Sequence, residues 1–212
     1  MHPQIKFIFF DIGGVALLDF SKTNKWDAML EDVGITTELK PKFDQLFSEA
    51  ELQMCVGKAT IQDFQKEAES KLNVQFPKNY NMLADIVNRF ELNTKIHQIV
   101  SILDKHFRLG LLTNMYPGML NKIKQSQLLR NANWELTVDS SIVGQMKPNP
   151  EIFKIAQQKC KTKPENILFI ENTQTHIDTA NSLGWNTILY NPADVEASNK
   201  LIVEYFKPLG IF

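Results

Sequence analysis

The chain has 212 residues, 43% hydrophobic and 22% charged, which suits one domain with a modest insertion and a real buried core. Lys and Arg total 23 against 24 Asp and Glu; this formal charge of −1, without a basic run, excludes duplex nucleic acid as an obligate partner, because the phosphate backbone demands clustered cations. Cys55 and Cys160 cannot build a disulfide framework and lack metal-ligand spacing, and no apolar run reaches the roughly 20 residues of a membrane span.

In chain order, residues 5–10 (IKFIFF) come first. Their β-branched and aromatic side chains without alternation predict a strand buried on both faces. The opening MHPQIKFIFFDIGGV lacks the basic start, longer apolar stretch and cleavage residues of a signal peptide, so a soluble, cytoplasmic protein without a membrane partner is expected. From about residue 19 to 89 helical periods take over: Trp26, Met29, Leu30 and Val33; Phe43, Leu46 and Phe47; Ile61, Phe64, Ala68 and Leu72; Met82, Leu83 and Ile86. Turn material at Gly34, Gly57 and Pro77 separates them, which predicts an insertion of about four helices whose Met and aromatic positions are core.

Further strands are expected at 109–112 (LGLL), 136–138, 167–170 (ILFI) and 187–190 (TILY), with helices at 118–128, 150–160, 176–183 and 195–206. Pro148 and Pro150 mark one helix start and Gly184 one helix stop. Strand and helix in alternation predict an α/β fold, a Rossmann-like parallel sheet with helices on both faces, plus a small all-helical unit.

Four polar sets follow the predicted strands. Asp11 leaves the first one, with Gly13-Gly14 just beyond it; ligands of open α/β sheets sit at such carboxyl ends, and glycines let backbone N–H groups approach an anion. Thr113-Asn114 follow LGLL, Lys147 lies in GQMKPNPEIF ahead of a helix start, and Glu171-Asn172 follow ILFI.

These stretches, FFDIGGV, LLTN, MKPNPEIF and LFIENTQTHIDTANSLGWNTILY, resemble the four ordered motifs of the haloacid dehalogenase-like superfamily, and the likeness to its phosphatase-type members runs over essentially the whole chain. The resemblance implies an α/β core over residues 1–15 and 90–212 and a helical cap over 16–89. It further implies a Mg²⁺-dependent phosphatase acting on a small phosphorylated substrate, working as a monomer or homodimer. Asp11 would be the nucleophile that forms an aspartyl-phosphate, and Lys147 would neutralise charge on nucleophile and phosphate. Thr113, Asn114 and Gly14 would hold the phosphoryl group. Asp11, the Gly13 carbonyl, Glu171 and Asn172 would hold the metal, all through hard oxygens.

Two positions depart from the pattern. Phosphatases of this type carry a second Asp as general acid and base where this chain has Gly13, a function generally worth about 10²–10⁴-fold in rate. Asp19, Lys22, Glu49 and Lys58 are the substitutes within reach of a guess. Asn172 stands where a second acid is common, which removes one negative charge from the metal site, and His176 replaces a frequent Asn and is expected in a polar cap or surface role. Two other readings therefore stand beside the first: a catalytically impaired phosphate-binding or interaction protein on the same scaffold, and a 2-haloacid dehalogenase. The second suffers from the lack of any arginine between residues 16 and 88, since lysine poorly replaces a guanidinium fork at a carboxylate; the chain's arginines are Arg89, Arg108 and Arg130.

Overall fold

The structure, a computed structural model, describes residues 4–129 and 132–212. Its elements are β1 (Phe7–Phe10), β2 (Leu17–Leu18), α1 (Lys25–Asp32), α2 (Lys40–Cys55), α3 (Ile61–Leu72), α4 (Met82–Asn88), β3 (Glu91–Leu92) and α5 (Thr94–Leu103), followed by β4 (Arg108–Thr113), α6 (Met119–Gln125), β5 (Trp134–Asp139), α7 (Ser140–Val143) and α8 (Pro150–Cys160), and then by β6 (Ile167–Glu171), α9 (Gln174–Ser182), β7 (Asn186–Leu189) and α10 (Val195–Phe206). Among the described residues no helix is long and apolar enough to cross a membrane.

Five strands form one parallel sheet in the order β5-β4-β1-β6-β7, with β1 in the centre. All four residues of β1 are fully buried, because helices cover both faces, and this explains the run of apolar residues without alternation. Ile8 and Phe10 point into one cluster with Ile96 and Val100 of α5 and Ile202 and Phe206 of α10. Phe7 and Phe9 point the other way, to Phe153 of α8, Ala180 of α9 and Trp185. Each fully buried Phe contributes on the order of 1.5–3 kcal/mol of apolar transfer. Gly110 of β4 permits this packing: a Cβ there would lie 2.8 Å from the Phe7 ring and 2.9 Å from the Leu136 carbonyl oxygen.

Helix ends follow local chemistry. α8 spans the predicted 150–160, with Pro150 in its first turn and the Asn149 side chain accepting the Glu151 N–H. α3 starts on a reciprocal capping box between Thr60 and Asp63. α10 matches the predicted 195–206 and is capped by Asp194.

Three features lay outside the sequence reading. α5 was not expected: its segment TKIHQIVSIL is rich in β-branched residues, which blurs the period, and its helix start rests on the Asn93 side chain accepting the Ile96 N–H. The four-residue α7 is too short for a period to show. β2 and β3 pair antiparallel, Leu17 with Leu92 and Leu18 with Glu91, and two-residue strands leave no pattern in sequence. The helices α1–α4 lie in the chain between these two strands. Their apolar faces, including Met29, Phe43, Met54 and Phe64, join the same buried cluster as Phe10 and Ile12.

Candidate active site

β1, β4 and β6 end side by side, so Asp11, Thr113 and Glu171 are neighbours across the carboxyl edge of the sheet. The loop leaving β1 is held tightly. The Asp11 N–H donates to the Ile170 carbonyl (3.0 Å), and the Leu17 N–H donates to that of Ile12 (2.8 Å). From α5 and its cap, Asn93 donates to the Val15 carbonyl (2.9 Å), and His97 Nε2 lies 3.1 Å from the Ala16 carbonyl oxygen. These bonds explain why the unpredicted α5 matters to the site: it fixes the turn that aims Asp11.

A cavity of about 510 Å³ opens over this edge. Asp11, Gly13, Asp19, Thr113, Asn114, Lys147, Asn172 and His176 contribute its polar lining, and Trp26, Phe47, Phe90 and Tyr116 are among its aromatic walls.

Lys147 is the hub. It is 1% exposed, its ammonium donates to Glu171 Oε2 at 2.5 Å, and it lies 3.0 Å from Asp11 Oδ1. Burial disfavours its charge, but the two carboxylates outweigh that and raise its pKa. Glu171 sits behind it, fully buried, and does not line the cavity. Its Oε1 accepts the N–H groups of Asn172 (2.8 Å) and Thr173 (3.0 Å), while Oε2 faces both Lys147 and His176 Nδ1 (3.0 Å). Burial opposes the Glu171 charge, yet Lys147 and His176 win and hold its carboxyl down at about 2. Asp11 has fewer partners, one N–H from Ile12 (2.8 Å) and a share of Lys147. Burial, seconded by the Glu171 charge, pushes its carboxyl up to about 7. One ammonium serves two carboxylates, and the better solvated by donors keeps its charge more easily.

Several of the expected site residues make protein contacts that the sequence does not mark. Asn114, expected on the phosphoryl group, uses its side chain to clamp the main chain of Lys147: Nδ2 donates to the Lys147 carbonyl (2.9 Å) and Oδ1 accepts the Lys147 N–H (2.8 Å). Gly14, expected in the same role, does not line the cavity; it sits at φ +75°, and a Cβ there would lie 2.2 Å from Asn172 Nδ2. His176, expected in a polar cap or surface role, is instead a partner of Glu171. Thr113 is almost fully buried yet reaches the cavity. Cys55 also lines the cavity, but burial pushes its thiol up to about 12, so it is no nucleophile.

Gly13 shows what took the place of its missing side chain. A Cβ built there would lie 2.4 Å from Asp19 Oδ2. The Asp19 carboxylate thus occupies the volume into which a side chain at position 13 would project. The Ser21 N–H fixes its other oxygen (2.9 Å), and burial raises its pKa. Of the substitutes named from sequence, Asp19 alone lines the cavity; Lys22, Glu49 and Lys58 do not.

Among the described residues no group of three or more His, Cys, Asp and Glu side chains is arranged to hold a metal ion. Glu171, expected as a metal ligand, has both oxygens committed to protein donors. Asp11, the Gly13 carbonyl and Asn172 remain. One terminal atom of the Asn172 amide lies 2.7 Å from Glu171 Oε1 and 3.3 Å from the Gly13 carbonyl oxygen. As NH₂ it donates to both; turned by half a revolution, the amide would offer its oxygen there instead. The donors are all hard oxygens, so the set fits Mg²⁺ in type, with little negative charge.

A model of the haloacid dehalogenase-like hydrolase family matches residues 5–184. Bifunctional epoxide hydrolase 2 of Sus scrofa is 26% identical over 87% of this chain, which spans 36% of that relative's length. A predicted HAD-like family hydrolase from Porphyromonas gingivalis has the same fold, with a TM-score of 0.75 at 23% identity over 94% of this chain and 98% of that one. A HAD family enzyme from Bacteroides thetaiotaomicron, solved as a magnesium complex, scores 0.74 at 20% identity over 89% and 94% of the two chains. An L-2-haloacid dehalogenase from Xanthobacter autotrophicus, solved with chloropropionic acid covalently bound, scores 0.62 at 20% identity over 86% and 76%.

Proposed function

This chain belongs to the haloacid dehalogenase-like hydrolase family, and on that premise we propose that it hydrolyses small phosphate monoesters through a covalent aspartyl-phosphate on Asp11. The observation that carries the reading is the Asp11 carboxylate at the wall of a cavity that Thr113 also lines, 3.0 Å from a buried ammonium. In the protein alone that ammonium balances Asp11 and Glu171; with a substrate bound it would also balance the negative charge that arrives with a phosphate and builds as it transfers.

In the proposed reaction, an Asp11 oxygen attacks phosphorus, the bond to the ester oxygen breaks, and the leaving alkoxide takes a proton. Water then attacks the aspartyl-phosphate, loses a proton, and releases inorganic phosphate and the free carboxylate. Lys147 steadies Asp11 and the phosphoryl oxygens, and Thr113 donates to one of those oxygens. Asn114 holds the Lys147 main chain in register. Asp19, in the volume beside Gly13, is our candidate for carrying the proton in both halves. Asp11, the Gly13 carbonyl and Asn172 would hold Mg²⁺, which when bound supplies positive charge against the phosphate. The magnesium complex of the Bacteroides thetaiotaomicron enzyme supports this choice of ion.

The dehalogenase reading finds no support in the cavity. Arg89 is engaged by Asp85 and Asp32, Arg108 by Glu135, and no arginine lines the cavity among the described residues; Arg130 lies outside them. The impaired-scaffold reading keeps one observation in its favour, the low charge left around Asn172. Phosphate release from a panel of monoesters with Mg²⁺ separates the two. Turnover that disappears in Asp11→Asn supports the enzyme, and release no faster than in that variant overturns it.

A further inference from the structure

The cavity over Asp11 takes polar lining from the strand ends and from Asp19, Ser21 and Glu51, and its aromatic walls are Phe20, Trp26, Phe47, Phe90 and Tyr116. The Trp26 and Phe47 ring centroids are 4.6 Å apart, Phe20 stands edge-on to Trp26 (6.1 Å) and Phe90 (5.9 Å), and Tyr116 stands edge-on to Phe47 (6.2 Å). With a phosphate seated at Asp11, Thr113 and Lys147, the remainder of a substrate must lie against these rings, in a total volume of about 510 Å³.

Charge narrows the choice further. The lining carries the carboxylates of Asp11, Asp19 and Glu51 against the single ammonium of Lys147, which Asp11 and Glu171 already share. His176 is turned to Glu171. Among the described residues, a second anionic group on the substrate would find no further cation in the lining, and it would meet the acids Asp19 and Glu51. Sugar hydroxyls would find their polar partners among Asp19, Ser21, Asn172 and Thr173 rather than on the aromatic wall, whose polar tips are engaged: the Tyr116 hydroxyl donates to Glu51 Oε1 (2.7 Å) and the Trp26 N–H to Asp44 (2.8 Å).

We infer that the site selects phosphate monoesters of flat apolar alcohols, aromatic above all, that carry no second anionic group. The inference rests on the phosphatase reading for its reaction, but the selectivity belongs to the walls alone.

The test compares kcat/KM, with Mg²⁺, for 2-phenylethyl phosphate, glucose 6-phosphate, 3-phosphoglycerate and phosphocholine. All four are esters of primary alcohols, so differences report recognition of the alcohol rather than leaving-group quality. 2-Phenylethyl phosphate should lead by on the order of 10- to 100-fold. Trp26→Ala, and the milder Phe47→Leu in case the first folds poorly, should shrink that lead chiefly through KM. A lead for glucose 6-phosphate or 3-phosphoglycerate overturns the inference. So does a lead for phosphocholine, which would make Glu51 a cation site. Binding of 2-phenylethylphosphonate, followed by tryptophan fluorescence, keeps the two proposals apart. Selective binding without turnover of any ester sinks the phosphatase reading and leaves the wall selectivity standing; binding no tighter than that of methylphosphonate sinks the selectivity.

Discussion

At the strand ends, the ammonium of Lys147 is 1% exposed and bonded to two carboxylates, and Glu171 behind it accepts from two main-chain N–H groups. On the helical side of the same cavity, Trp26, Phe47 and Tyr116 are only half-buried, and the polar contacts there are single bonds such as Tyr116 to Glu51. The first region is tightly coupled: Lys147 and Glu171 each have several partners, and losing the cation would strand both carboxylates. The second is held by ring packing, which tolerates exchange of one apolar side chain for another of similar volume. Chemistry therefore sits where substitution is costly, and selectivity where it is cheap.

The hardest way to break this contrast is at the hub. Lys147→Met should abolish turnover and destabilise the protein by about 3–5 kcal/mol, because it leaves buried carboxylates without their cation. Chemical denaturation and phosphate release measure the two effects together, and a loss below 1 kcal/mol, on the order of an exposed pair, would show that the network is loose.

Asp19 straddles the two regions. Asp19→Asn should lower kcat by about 10²–10⁴-fold with little change in KM. Gly13→Asp alone should not help, since the new side chain would collide with Asp19, whereas Gly13→Asp combined with Asp19→Ala should restore a large part of the rate. An unchanged kcat in Asp19→Asn would remove it from the reaction.

Asp11 offers a sharper comparison with Glu171. Its folded pKa is raised from 3.8 to about 7, so its contribution to stability is complete below pH 3.8 and is lost as the pH climbs toward 7. Asp11→Asn stays uncharged throughout. Without metal it should match the parent near pH 4 and exceed it by about 2–4 kcal/mol at pH 8. Glu171 behaves oppositely: its folded pKa is lowered from 4.5 to about 2, so its stabilisation is present above pH 4.5 and lost as the pH falls toward 2. Thermal melts of parent and variant across pH 4–8 read the difference, and parallel curves would contradict it.

The smallest effect is expected at Asn172. Asn172→Asp adds a charged oxygen beside the Gly13 carbonyl and should tighten Mg²⁺ binding by about tenfold, read by calorimetry. Weaker binding in the variant would mean that the amide contributes something other than a metal contact.

Residue order alone carried much of the architecture. A buried strand within 5–10 (observed at 7–10), the helices at 150–160 and 195–206, and the four helices before Arg89 follow from period, proline and glycine, because those signals act within a few residues of themselves. The strand-end positions of Asp11, Thr113 and Glu171 follow from the same local logic. The clamp of Asn114 on the Lys147 main chain and the closeness of Gly14 to Asn172 join residues that are distant in the chain and carry no local mark. What only the tertiary structure decided is who shares space with whom. Asp19 fills the volume beside Gly13, His176 turns to Glu171, and rings from four segments close one cavity over Asp11, because contacts between distant residues depend on packing that no short stretch of sequence encodes.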